Sequence, residues 1–278
     1  MDVYELLHPN LQEVFGKLDP VSALHSINVA EISGTLAEKM GLPENDVKKV
    51  QTAALIHDLG KTQIPPALLD KHGKFTKEER EVMGLHAAMT DIIIKGKVPE
   101  DVRYAAVQHH EKLSGDGTLG LNSDQISPFA KIIAVADVYD AMRDNTRVYK
   151  EAKTHDDTID FLGKVAESGE IDKGILAEFT EMTASIDCSI RQKYPEIPDK
   201  KEQKTFDDRP LNPEILQTPE IMCAQKHLDS LKKEMQNPPR QERALHGMLE
   251  VASNQIGGIN HGRAEKSVSL GGNPIPKR

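Results

Sequence analysis

Thr52-Ala-Ala-Leu-Ile-His-Asp-Leu-Gly-Lys61 is the stretch on which the fold turns. An apolar run with helical spacing ends on His57-Asp58, and Gly60-Lys61 follow at once. Adjacent residues on a helix diverge by about 100°, so both can reach one metal only at a helix terminus or along one edge. Gly60 is expected to supply that terminus as a helix-ending glycine. One imidazole and one carboxylate at a single point can hold a divalent ion, with the carboxylate free to bridge to a second.

Further candidate ligands lie to either side. His25 sits in an amphipathic stretch with Leu24, Ile27, Val29 and Ile32, and His86 lies among Met83, Leu85, Ala87 and Met89. His109-His110-Glu111 closes the run from Val102 and enters the loop Ser114-Gly115-Asp116-Gly117. Asp137 ends Ile132-Ile-Ala-Val-Ala, where a buried carboxylate is costly unless a cation pairs with it. Asp140 is read differently, as facing solvent or a local ion pair. Any one of these histidines alone reads as an ordinary core or surface residue. Five histidines and two aspartates at helix ends or inside apolar helices read together as one hydrolytic metal centre.

Imidazole-rich ligation suits two borderline divalent ions, Fe or Mn first and Zn, Ni or Co after them, whereas Mg and Ca prefer all-oxygen shells. Two such ions about 3.5–4 Å apart can share a hydroxide and polarise phosphoryl oxygens.

The rest of the chain agrees with a mainly α fold. Hydrophobic content is 38%, aromatics are 4% and Trp is absent, so the core must rest on aliphatic residues, which favours helical packing. Apolar residues recur at helical spacing in Val21–Met40, Val47–Leu59, Glu78–Ile94 and Val102–His109, and again in Phe129–Met142, Thr158–Ala166 and Ile175–Ile190. Residues 1–195 are expected to form the catalytic domain. Prolines from Pro195 onward and a Gly-, Asn- and Ser-rich end mark 196–278 as a loosely ordered tail. Within it, about Pro219–Met235 and Glu242–Val251 read as amphipathic helices that can dock on a protein partner.

Charge and targeting signals narrow the function. Residues 201–278 carry 12 Lys/Arg against 10 Asp/Glu, leaving 23 against 34 before them. That acidic body argues against general nucleic-acid binding, which requires many phosphate-neutralising cations. No apolar run reaches the roughly 20 residues that span a bilayer. The acidic start Met1-Asp2-Val3-Tyr4-Glu5 lacks a signal-peptide pattern, and Cys188 and Cys223 have no metal or redox spacing. A cytoplasmic protein with reduced thiols is expected.

The ordered series of His25, His57-Asp58-x-Gly60-Lys61, Pro65-x-x-Leu68-Leu69-x-Lys71, His86, His109-His110-Glu111 and Ala136-Asp137-x-Tyr139-Asp140-Ala141-Met142 resembles the HD-GYP branch of the HD-domain phosphohydrolases. The resemblance runs from about residue 20 to 190. It implies an all-α helical bundle with a buried metal centre that hydrolyses cyclic di-GMP. Carried over by position, it makes His25, His57, Asp58, His86, His109, His110 and Asp137 the metal ligands, with Asp58 bridging. Lys61 would contact the substrate phosphate or the metal-bound water, and Arg147 and Lys150 would hold phosphates.

Three positions depart from the family pattern. Gly117-Thr118-Leu119 stands where the family has Gly-Tyr-Pro, and Met142–Arg147 is one residue longer than usual. Val21 replaces the glutamate with which three-metal members extend the site, so two metals and a linear dinucleotide product are expected. Two alternatives stay open: an HD-domain phosphohydrolase of another nucleotide or phosphoester, and a low-turnover nucleotide-binding or scaffold protein.

Overall fold

In the computed structural model, which describes residues 3–145, 151–194 and 208–237, every regular element is helical and no strand forms among the described residues. The helices are α1 Pro9–Phe15, α2 Pro20–Lys39, α3 Glu44–Ile56, α4 Pro66–Leu69, α5 Lys77–Gly84 and α6 His86–Ile94. They continue as α7 Glu100–Val107, α8 Pro128–Arg143, α9 His155–Glu167, α10 Lys173–Thr183, α11 Ser189–Gln192 and α12 Pro219–Gln236. Local chemistry explains the starts. Asp19 caps α2 by accepting from Ser22 N, with Pro20 in the first turn, and Thr76 and Glu79 form a reciprocal capping box on α5.

The core is a helical bundle. α2 packs along α3 and α8, α3 against α7, and α9 and α10 close the side of α8. Val29, Ile32, Leu36, Leu55, Ile133 and Phe179 are fully buried between them. A second, smaller cluster joins Ile64, Leu68, Val82, Leu85 and Met89 to Ile221 and Ala224 of α12. The helix expected at about Pro219–Met235 is therefore present, but Ile221 and Ala224 on its apolar face are already covered by the chain's own residues from Ile64 to Met89. A partner cannot use those two residues without displacing this cover. The candidate helix Glu242–Val251 lies outside the described residues.

Two expected helices are broken in the structure. Glu78–Ile94 divides at Leu85, where His86 Nδ1 bonds the Met83 carbonyl at 2.6 Å and competes with the backbone ladder. Ile175–Ile190 divides after Thr183, where Ser185 accepts backbone bonds from Asp187 and Cys188. The short elements Val3–Leu6 and α1 carry too few residues to show a period, and the sequence reading did not include them.

Gly60 does not end α3. That helix closes at Ile56, and Gly60 lies inside a 3-10 turn, Leu59–Gln63, pressed against α6. A Cβ at Gly60 would fall 1.9 Å from the His86 carbonyl oxygen and 2.7 Å from Thr90 N. Close approach, not left-handed backbone, is why glycine stands there.

Candidate metal centre

Three of the expected histidines share one local device. His57, His86 and His109 each sit at a helix end or break, and each bonds the carbonyl three residues earlier through Nδ1. The partners are Ala54 at 2.5 Å, Met83 at 2.6 Å and Ala106 at 2.6 Å. A carbonyl only accepts, so Nδ1 carries the hydrogen and Nε2 keeps its lone pair for the cavity. The same bond satisfies a carbonyl that a helix terminus leaves over.

His25, in the middle of α2, uses a different orienting partner. Its Nδ1 lies 2.5 Å from Asp140 Oδ2, and Tyr194 OH donates to the other Asp140 oxygen. Asp140 is fully buried, so of its two expected settings the solvent-facing one is corrected, and its partner is the distant His25. It stands one helical turn beyond Asp137 on the same face of α8, a spacing that can be read in the sequence. Thr90 is a second residue the sequence reading missed: its hydroxyl accepts from Gly60 N at 2.8 Å and donates to the His57 carbonyl at 3.0 Å.

The seven expected ligands converge. His25, His57 and Asp58 form one group, His86, His109 and His110 another, with donor atoms inside each group lying within 4.8 Å of one another. Asp58 joins them. Its Oδ2 faces His57 Nε2 at 3.3 Å and His25 Nε2 at 3.8 Å, while its Oδ1 faces His86 Nε2 at 3.4 Å. Asp137 Oδ1 completes the first group at 3.0 Å from His25 Nε2, and its Oδ2 lies 3.9 Å from His110 Nδ1. Lys61 Nζ donates to Asp58 Oδ2 at 2.6 Å.

Two features show that this donor set fits cations. His57 Nε2 is buried with no hydrogen-bond partner. His86 Nε2 and His109 Nε2 face each other at 3.2 Å, and with both Nδ1 atoms protonated this brings two lone pairs together. A cation between them turns that repulsion into ligation.

The protonation states suit the same purpose. Burial pushes the pKa of His86 down to about 3, and burial with the neighbouring His110 holds His109 well below the usual range. The protein packed around its ring lowers His110 as well, although 43% of its side chain is exposed. Burial also opposes charge on Asp58, yet His57 and Lys61 outweigh it and keep its carboxylate ionised well below the ordinary value. Asp137 is held low against burial by His25. Neutral His86 and His109 beside ionised carboxylates are in the states that ligate metal. Against burial, Asp58 raises the pKa of His57, so His57 would give up a proton on binding.

The centre opens into a cleft of about 400 Å³. Val21, Leu69, Phe75, Met83, Val138 and Met142 give it an apolar wall, and His110 and Lys61 reach it from the polar side. Arg147 and Lys150, expected to bind phosphate, lie outside the described residues. Gly117, Thr118 and Leu119 do not line this cleft: Glu111 accepts from Leu119 N at 2.7 Å and Leu121 N at 2.9 Å, and the Leu119 side chain is buried.

Comparison with known proteins places the chain. It is 37% identical over 138 residues to the cyclic di-GMP phosphodiesterase response regulator RpfG of Xanthomonas campestris, covering 48% of this chain and 36% of that protein. It is also 37% identical over 134 residues to 3'3'-cGAMP-specific phosphodiesterase 3 of Vibrio cholerae, covering 46% of this chain and 29% of that one. The chain thus spans about a third of the length of these relatives. Among solved structures, Bd1817, a HDG"Y"P protein from Bdellovibrio bacteriovorus, shares the fold with a TM-score of 0.50 at 19% identity, over 59% of this chain and 52% of the other. No helix among the described residues is long and apolar enough to cross a membrane. The family model described as HD domain matches residues 6–175, well over half of the chain, and with the histidines and aspartates above inside that span the chain belongs to the HD domain family.

Proposed function

We propose that this chain is a metal-dependent phosphodiesterase that opens a cyclic dinucleotide, cyclic di-GMP first, to the linear dinucleotide. One observation carries the reading: two clusters of donor atoms meet at the two oxygens of a single buried carboxylate, Asp58. His25, His57, Asp58 and Asp137 would hold one divalent ion, and Asp58, His86, His109 and His110 a second. Fe or Mn suits this nitrogen-rich set best. Bound there, the ions supply an activated water and neutralise charge on the phosphoryl oxygens.

The chain's own residues do the rest. Asp58 sets the spacing of the two halves. Lys61, 2.6 Å from Asp58 and at the cleft surface, supplies a cation where a scissile phosphate would enter and stabilises the charge that develops on it. Arg147 and Lys150 are assigned to the flanking phosphate by the family pattern alone. The apolar wall of Leu69, Phe75 and Met83 offers a surface for a nucleobase. Val21 at the mouth cannot coordinate, which supports two ions and a single cleavage. Relatives named for cyclic di-GMP and for 3'3'-cGAMP support the substrate class, and a cytoplasmic location belongs to the same reading.

A second reading, hydrolysis of a different phosphoester, is favoured by one feature: in Gly117-Thr118-Leu119 the Leu119 side chain is buried and its N–H is held by Glu111. Purified chain loaded with Mn(II) or anaerobic Fe(II) and given cyclic di-GMP or 3'3'-cGAMP separates the two by product chromatography. The proposal expects the linear dinucleotide, with turnover abolished in Asp58→Ala while the helical circular dichroism is kept. Cleavage of simple phosphodiesters with both cyclic dinucleotides untouched supports the second reading.

A further inference from the structure

Helix α12 lies beyond the residues matched to the HD domain, yet it is tied to the two helices that carry the three-histidine half of the centre. His86 opens α6, and His109-His110 follow the end of α7. Asp91 on α6 and Arg103 on α7 are both buried and bonded at 2.5 Å, Arg103 Nε to Asp91 Oδ1. Glu100 of α7 also accepts from Arg103 Nη1 at 2.7 Å, and α12 brings two further partners. His227 Nε2 lies 2.7 Å from Asp91 Oδ2, and Glu234 Oε1 accepts from Arg103 Nη1 at 2.7 Å. Glu234 Oε2 also accepts from Lys95 at the end of α6, at 2.7 Å.

The contacts reach the ligands' own neighbours. Gln108, immediately before His109, donates to Met235 Sδ at 3.5 Å and accepts from Ser127 N at 2.7 Å. Gln236 donates to the Leu119 carbonyl at 3.1 Å, in the loop that leaves the centre after His110 and Glu111. Four residues of α12 therefore make polar contacts with α6, α7 and the following loop, while its Ile221 and Ala224 pack on Ile64 and Leu68 beyond Asp58.

We infer that α12 is a positioning element for the His86, His109 and His110 half of the metal centre, with His227 and Glu234 as its positioning residues. Each added partner narrows the geometry a buried charge pair can adopt, and α12 adds two to this one, although Arg103 Nη2 itself has no hydrogen-bond partner. By holding the Asp91–Arg103 pair from a third helix, α12 sets the angle between α6 and α7, and that angle sets where three imidazoles meet. The inference rests on the two-ion reading above, and its test distinguishes the two.

The full chain and the variants Glu234→Gln and His227→Ala are titrated with Mn(II), following stoichiometry by calorimetry and ion–ion coupling by electron paramagnetic resonance. Metal-free melting is recorded in parallel. His227 stands at the partly exposed rim of the network, so its variant keeps a folded protein available should Glu234→Gln fail to fold. The expected result is one ion bound as in the parent, the second weakened about ten- to a hundredfold, and the coupled signal lost. Binding of both ions with parent affinity, or equal weakening of both in step with a lowered melting temperature, overturns the inference. Failure of the parent itself to bind a coupled pair would instead overturn the two-ion reading.

Discussion

His25 Nδ1 and Asp140 Oδ2 stand 2.5 Å apart in the core, and that contact turns His25 Nε2 toward Asp58 and Asp137. An orienting carboxylate of this kind fixes the tautomer and raises the basicity of the ligand nitrogen. Asp140→Asn is expected to weaken the ion on the His25 side about ten- to a hundredfold, as metal titration would read it. Tyr194→Phe removes only the hydroxyl that supports Asp140 and should cost about 1–3 kcal/mol in stability. Unchanged affinity in Asp140→Asn would show that His25 is oriented by packing alone.

Gly60→Ala tests the crossing of the 3-10 turn over α6. Its new methyl would meet the His86 carbonyl at 1.9 Å, an atom that cannot rotate away. Overpacking at such a backbone contact is expected to cost about 1–3 kcal/mol or more, read as a lowered urea midpoint with unchanged slope. The same shift would separate Asp58 from His86, so metal affinity should fall with stability.

Much of the centre could be read before any coordinates, because each histidine follows or interrupts an apolar periodic run, and a polar ligand there has few other reasons to be buried. His57 and His109 follow the ends of α3 and α7, as that reading expects, whereas His86, read as lying within a helix, opens α6. What could not be read was which face each helix presents. Asp140 shares α8 with Asp137, but periodicity does not say that Tyr194 and His25 both reach it. The break at Leu85 was hidden because Ala87, Met89 and Ile93 continue the apolar pattern through it. For α12, an amphipathic stripe declares that something covers it without declaring what.

Restoring the family proline is expected to harm this chain. Leu119 N donates to Glu111 Oε1 at 2.7 Å, and a proline has no hydrogen to give. Leu119→Pro should therefore destabilise by about 1–3 kcal/mol, whereas Thr118→Tyr, at a partly exposed position, should be tolerated. Thermal melting of the two single variants separates them. Equal melting temperatures would mean that the Glu111 contact adds nothing.

Acid sensitivity should arise in part at Glu79. Its carboxylate accepts from Lys71 Nζ at 2.6 Å, from Thr76 N at 2.8 Å and from Leu211 N at 2.8 Å. Burial opposes its charge, but the Lys71 bond and the two backbone donors outweigh this and lower its pKa. A folded value below the unfolded one, about 4.3, means the contribution is fully present above that pH and is lost as pH falls through the folded value. Glu79→Gln should thus cost about 3 kcal/mol at pH 7, by leaving Lys71 buried without its partner. At pH 3.5 the parent and variant should lie closer together in urea midpoint. A gap that widens on acidification would contradict the assignment.

The central claim is that Asp58 joins two metal positions. Anomalous diffraction from crystals of the Mn-loaded chain measures this directly. The account predicts two peaks about 3.5–4 Å apart, one beside each oxygen of the Asp58 carboxylate. A single peak, or two peaks too far apart to share Asp58, would contradict it.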